Sequence, residues 1–194
     1  MSELYDVEKP IEKVILVGVA TDNNEEVVAL LKELEELAET AGAETVGTLI
    51  QNRERIHPGT YLGKGKLEEL REMITELGAT GIICDDELSP AQLRNMEEAL
   101  DTKIMDRTLI ILDIFAQHAS TRDGKIQVEL AQLKYRSARL TGLGSSLSRL
   151  GGGIGTRGPG EKKLEMDRRL IKDRISHLSE ELAGIRNNRE VARK

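Results

Sequence analysis

Four times between residues 14 and 118, a short apolar run gives way to a segment whose apolar residues recur at helical spacing. After Ser120 no such run returns. This single pattern excludes most folds. Alternating strands and helices call for a parallel sheet with helices on its faces, and a strand-free remainder must be helical or irregular. The first run, VILVGV at 14–19, is apolar on both faces, as a fully buried parallel strand is. TDNNEE follows, with Asp22 and Asn24 as helix N-cap candidates. Val27, Val28, Leu30, Leu31, Leu34, Leu37 and Ala38 then recur at helical spacing, and Gly42 closes the segment. Strands are expected at 44–50, 80–84 and 102–105, with helices at 64–77, from Pro90 after a Ser89 cap, and at about 107–118. Right-handed crossovers favour the strand order 2-1-3-4.

From Ser120 onward a different period takes over. Ile126, Leu130, Leu133, Ser137 and Leu140 are spaced four, three, four, three. Leu164, Ile171, Leu178, Ile185 and Ala192 are seven apart, with Ile175 and Leu182 four residues after Ile171 and Leu178. Two narrow heptad seams in one chain pair most simply as an antiparallel hairpin. The expected fold is therefore α/β. A four-stranded, mostly parallel sheet with flanking helices (residues 1–120) is followed by an antiparallel α-helical hairpin subdomain (residues 121–194). The seams differ in length, roughly 22 Å for 126–140 and 48 Å for 161–192 at ~1.5 Å per residue. The second helix must therefore outrun the first. Arg186, Arg189, Arg193 and Lys194 fall within the helical pattern with no stop signal, which reads as a break in a longer chain.

Charge divides along the same line. The net charge of −6 is the sum of +8 over residues 134–194, from 15 Lys and Arg against 7 Asp and Glu, and −14 over the rest. A basic segment on an acidic body points to a basic interaction surface, with a solvated, charge-laced helix as the alternative. With aromatics at 2% of the chain, base stacking is not the means of recognition. Between the helices lies GLGSSLSRLGGGIGTRGPG, residues 142–160, in which eight of 19 residues are glycine. Gly151, Gly152, Gly153 and Gly155 leave bare amides that can approach a ligand closely. Arg149 and Arg157 lie within the loop. Lys162, Lys163, Arg168 and Arg169 follow at the start of the second helix, whose free N–H groups also favour phosphate. Such a loop suits structured RNA, met through phosphates and 2′-hydroxyls. Other anions, a protein partner, or a plain linker between helices are the alternatives.

Enzymatic readings are weaker. The phosphate-loop pattern G-x-x-x-x-G-K-[ST] does not occur: Gly160-Glu161-Lys162 has an acid in the wrong place, and Gly59 to Gly63-Lys64 is one residue short. Asp85, Asp86 and Glu87 follow the third strand and could hold Mg²⁺ at the carboxyl edge of the sheet, though such acids more often decorate a loop. HPGTYLGKGK, residues 57–66, is a turn-rich stretch that could bind an anion at the same edge. A small nucleotide-binding domain built on 57–66 and 85–87 is thus one alternative to RNA binding. His57, His118 and His177 lack metal-ligand spacing. Cys84, in GIIC, reads as a buried strand residue that forms no disulfide within the chain. With no signal peptide and no run of 18 apolar residues, a cytoplasmic protein without a membrane anchor is expected.

LSRLGGGIGTRGPGE followed by LEMDRR, together with HPGTYLGKGK, DRTLIILDIFAQHAST and IQVELAQLKY, resembles the HflX family of ribosome-associated GTPases over essentially the whole chain. The resemblance implies an α/β N-terminal domain and a helical hairpin, followed in cis by a Ras-like GTPase domain that uses GTP and Mg²⁺ and is not part of these 194 residues. It also implies binding to the large ribosomal subunit, with residues 142–160 directed at the peptidyl-transferase region, in splitting or rescuing stalled ribosomes under stress. This stretch is then a non-catalytic, rRNA-binding part of a GTPase. A dimer through the unpaired length of the second helix is a further possibility. The chain departs from the family's pattern at three places. Lys162 replaces a Thr, Arg136-Ser137-Ala138 replaces an apolar, Pro-containing stretch, and His118 replaces an Arg. The first strengthens attraction for RNA, and Ser137 weakens the seam.

Overall fold

Strand β1 (Glu12–Ala20) has no polar residue from Val14 on, and its seven residues from Val14 to Ala20 are all buried. Burial on both faces requires helices above and below. β1 is accordingly flanked on both sides in a four-stranded parallel sheet ordered β2-β1-β3-β4, with β2 at Ala43–Asn52, β3 at Gly81–Cys84 and β4 at Lys103–Asp106. The computed structural model describes residues 11–141 and 159–192, with side chains for 11–138 and 168–188. Alternation along β1 sorts the core. Ile15, Val17 and Val19 pack with Leu67, Leu70, Met96 and Leu100 from α2 (Lys64–Leu77) and α3 (Pro90–Leu100). Val14 and Leu16 pack with Leu31, Leu34, Ala38 and Ile110 from α1 (Asn24–Thr40) and α4 (Arg107–His118). The expected strand order and elements hold.

Local signals explain where the helices begin and end. Ser89 accepts from the Gln92 amide at 3.2 Å while Gln92 Oε1 accepts from the Ser89 amide at 2.9 Å, a full capping box ahead of Pro90. Gly42 and Gly78 end α1 and α2 at φ +89° and +63°, a region closed to most side chains. The cap of α1 is Asn23, neither Asp22 nor Asn24: its extended backbone lets the side chain accept from the Glu25 amide at 3.0 Å. β2 also runs beyond 44–50, because it pairs with the whole length of β1, through a bulge at Val14/Ile15.

Beyond His118 the described residues form two helices, α5 (Arg122–Thr141) and α6 (Pro159–Ala192). Arg122 meets Glu181 (Nη2 to Oε1, 2.6 Å) and Glu129 meets Arg174 (2.8 Å). Seven residues forward on α5 are seven back on α6, so the pair is antiparallel. Its seam buries Ile126, Leu130 and Leu178, with Leu133, Ile175, Leu182 and Ile185 packed against them. Ile171 is half-buried outside this cluster, and Leu170 beside it is 62% exposed. Continued at the same offset, α6 runs ~16 Å past the start of α5.

α5 has a second face. Val128, Ala131 and Tyr135 are half-buried and continue to Ala138 at a spacing of three, four, three. Gln132 Nε2 donates to Asp113 on α4 at 3.1 Å, and the Tyr135 hydroxyl donates to Asp106, the buried residue that caps α4. Burial raises the Asp113 pKa, with Glu12 adding to the rise and the Gln132 bond and Lys103 opposing it.

Two predictions follow from this packing. Leu178→Ala removes the one fully buried side chain among the described residues of α6 and costs the hairpin about 2–5 kcal/mol. Hydrogen exchange should then accelerate in α5 and α6 and stay unchanged in β1; equal loss in both contradicts separate cores. The raised Asp113 pKa implies a stability penalty that is absent below the ordinary carboxylate pKa and grows to its full value above the raised one. Asp113→Asn keeps an acceptor for Gln132. It should melt higher than the parent at pH 7, with the gap closing on acidification; a gap independent of pH contradicts this.

Candidate nucleic-acid interface

The ion pairs that fix the hairpin also fix where its cationic residues stand. The offset that pairs Arg122 with Glu181 places Arg168 opposite Tyr135, level with Asp106 and therefore with the carboxyl edge of the sheet. α5 continues six residues beyond Tyr135, about 9 Å at 1.5 Å per residue. This end of α5 therefore lies beyond that edge, on the side where β1 to β4 all end.

Of the residues singled out in the sequence, Arg149, Gly151, Gly152, Gly153, Gly155 and Arg157 lie outside the described residues. Lys162 and Lys163 fall within the first turns of α6, and their side chains also lie outside. Arg169 is exposed. Arg168 is half-buried and already engaged with a neighbour, so the two adjacent arginines are not equivalent. Exposed cations that the sequence reading did not single out share this half of the hairpin: Lys134 and Arg136 on α5 and Lys172 on α6. Their charge was visible in the sequence, but their level on the rod required the pairing register. The same holds for Asp106 and Tyr135. The sequence signals are an Asp ahead of the apolar helix for Asp106 and, for Tyr135, the second stripe at 128, 131, 135 and 138.

The alternative site at the sheet edge is filled by the chain itself. His57 Nδ1 accepts from the Gly59 and Thr60 amides at 3.2 and 3.1 Å, using two donors that an anion would need. Gln92 and Asn95 of α3 donate to the carbonyls of His57 and Gly59, at 2.8 and 2.7 Å. Tyr61 sits at φ +63°, only 1% exposed, and its hydroxyl donates to Asp86 at 2.6 Å. Burial, with the nearby Cys84 and Asp86, pushes the Tyr61 pKa far up, so the phenol stays protonated as a donor. Asp85 is held by Arg107, Nε to Oδ1 at 2.9 Å. Residues 57–63 are therefore a pinned turn, and Asp85 and Asp86 are structural acceptors. Among the described residues no group of three or more His, Cys, Asp or Glu side chains could hold a metal ion. His118 hydrogen-bonds the Ile114 carbonyl at 2.8 Å, and Cys84 is buried, its thiol pKa pushed up mainly by burial. No helix among the described residues is long and apolar enough to cross a membrane.

Comparison with known proteins matches this architecture. Residues 29–116 fit the family described as GTP-binding GTPase N-terminal, and residues 118–194 the family described as GTP-binding GTPase Middle Region. The GTPase HflX of Lacrimispora saccharolytica is 69% identical over 193 residues, covering 100% of this chain and 46% of that protein. The GTPase HflX of Escherichia coli K12 is 44% identical over 163 residues, covering 84% of this chain and 38% of that protein. A crystal structure of SsGBP in complex with GDP superposes with a TM-score of 0.64 at 24% identity, covering 92% of this chain and 45% of that one. A GTP-binding protein from Sulfolobus solfataricus, also with GDP, gives 0.59 at 23%, covering 90% and 46%. These two likenesses concern the fold. The chain spans less than half the length of the curated relatives it matches, within regions described as N-terminal and middle. On these matches, the chain belongs to the HflX family of GTPases.

Proposed function

We propose that this chain is the part of an HflX-type GTPase that grips the RNA of the large ribosomal subunit, using residues 142–160 and the basic first turns of α6. The observation that supports it best is the register of the hairpin. Two ion pairs set the helices so that the glycine-rich segment joins their free ends, with exposed Lys134, Arg136, Arg169 and Lys172 on the same half of the rod. Positive charge on a narrow projection can follow a groove between RNA helices, where phosphates lie close on both sides. Glycine lets the backbone approach phosphate and ribose without steric cost. In this reading Arg149, Arg157, Lys162, Lys163, Arg168 and Arg169 neutralise phosphates, and Gly151, Gly152, Gly153 and Gly155 supply the close approach.

The α/β body then orients the hairpin and takes no part in chemistry. Its acidic surface favours this division of labour: α1 exposes Glu25, Glu26, Glu33, Glu35, Glu36 and Glu39 against Lys32. A polyanion is repelled from that helix and admitted only at the basic rod. GTP and Mg²⁺ belong, in this proposal, to a GTPase domain of the whole protein, acting in the cytoplasm to split or rescue stalled ribosomes.

The chain should sediment with large ribosomal subunits at low salt, and Arg149→Glu with Arg157→Glu should abolish this while leaving the circular dichroism spectrum unchanged. With about six phosphates neutralised, log K should fall against log salt with a slope of roughly −4 to −5. Undiminished binding by the double variant refutes the role of the loop. Binding insensitive to salt would point to a protein contact instead.

A further inference from the structure

Among the described residues the buried apolar side chains form three groups, and the hairpin's group (Ile126, Leu130, Leu178) shares no member with the two groups of the body. Helix α5 therefore leans on α3 and α4 without a shared core to key it in place. Half-buried Val128 and Ala131 share the face of α5 that carries Gln132 and Tyr135, but apolar contact is non-directional and small side chains allow sliding. Direction has to come from hydrogen bonds, whose geometry is narrow.

Asp106 offers a rigid acceptor. It ends β4, is 2% exposed, and is held by two backbone donors from different segments. The Leu109 amide of α4 reaches Oδ1 at 3.0 Å, and the Leu88 amide of the β3–α3 loop reaches Oδ2 at 3.1 Å. The third donor described is the Tyr135 hydroxyl, which lies against both carboxylate oxygens. Three residues earlier, almost one turn along the same face of α5, Gln132 donates to Asp113 on α4. One bond would leave α5 free to pivot about it. Two bonds to separated points, Asp106 at the end of β4 and Asp113 on α4, fix both tilt and rotation.

We infer that Tyr135 is a positioning residue: its bond to Asp106, seconded by Gln132 to Asp113, is the latch that sets the direction in which the hairpin leaves the α/β body. Tyr135 is suited to this because its aromatic ring lies half-buried against the body while its polar end reaches a buried carboxylate. Removing the hydroxyl leaves Asp106 its two amide donors, so α4 keeps its cap and the body keeps its fold. The hairpin loses its pin but not its own seam. The inference is independent of what the loop binds.

Spin labels at Glu26→Cys on α1 and Lys172→Cys on α6, both exposed positions, in a Cys84→Ala background report the angle as a distance distribution. The parent should give one narrow distribution. Tyr135→Phe should widen it about twofold, as when a second arrangement becomes populated, and Tyr135→Phe with Gln132→Ala should widen it further. Circular dichroism should stay at parental values, which a general loss of structure would not allow. Should Tyr135→Phe fail to fold, Gln132→Ala alone, which touches only the second pin, should still broaden the distribution. Unchanged distributions in the folded variants overturn the inference. No RNA enters the measurement, so its failure leaves the reading of the loop untouched.

Discussion

Helix α5 has to satisfy two partners at once, and most of the molecule follows from that. One stripe, Ile126, Leu130 and Leu133, faces α6; another, Val128, Ala131 and Tyr135, faces the body. The two stripes leave Lys134 and Arg136 on exposed positions. The acidic α/β body is then a mount, α5 a bracket, and α6 the long member whose register against α5 decides where its charges stand.

The two halves of this arrangement have different kinds of stability. In the body, a strand buried on both faces is sealed by four helices, so its apolar burial is continuous and opens only with the whole domain. Among the described residues of the hairpin, three buried side chains and two ion pairs hold the helices together. Exposed ion pairs contribute little energy, but opposite charges at fixed positions select register. The described part of the hairpin is thus held by fewer buried side chains than the body.

Much of this was legible in the sequence, for identifiable reasons. Strand β1 declared itself because every residue from Val14 on is apolar. Its helices declared themselves through Ser89-Pro90, Gly42 and Gly78, where backbone geometry admits few residue types. The strand order followed from crossover handedness. The hairpin was legible as two heptad seams, though the register needed Arg122 with Glu181, one plausible pairing among many. What stayed hidden was long-range and polar. Nothing local tells Asp106 that Tyr135, 29 residues on, will share its carboxylate, and nothing in HPGTY tells Tyr61 to bury itself at a left-handed φ and bond Asp86. The nucleotide-site alternative arose there, because a turn that binds its own chain and a turn that binds a ligand use the same residue types. Of the candidate site, Arg168 and Arg169 looked alike in sequence and separate only once helix faces are assigned.

In the proposed function the end of the hairpin, and not the body, meets RNA. This is tested most directly by a photo-crosslinking amino acid placed at Ile154 in the glycine-rich segment or at Glu36 on the acidic face of α1, each irradiated with large ribosomal subunits. Crosslinks to ribosomal RNA are expected from position 154 and none from position 36. Crosslinks from position 36 alone, or from position 154 to protein only, would contradict it.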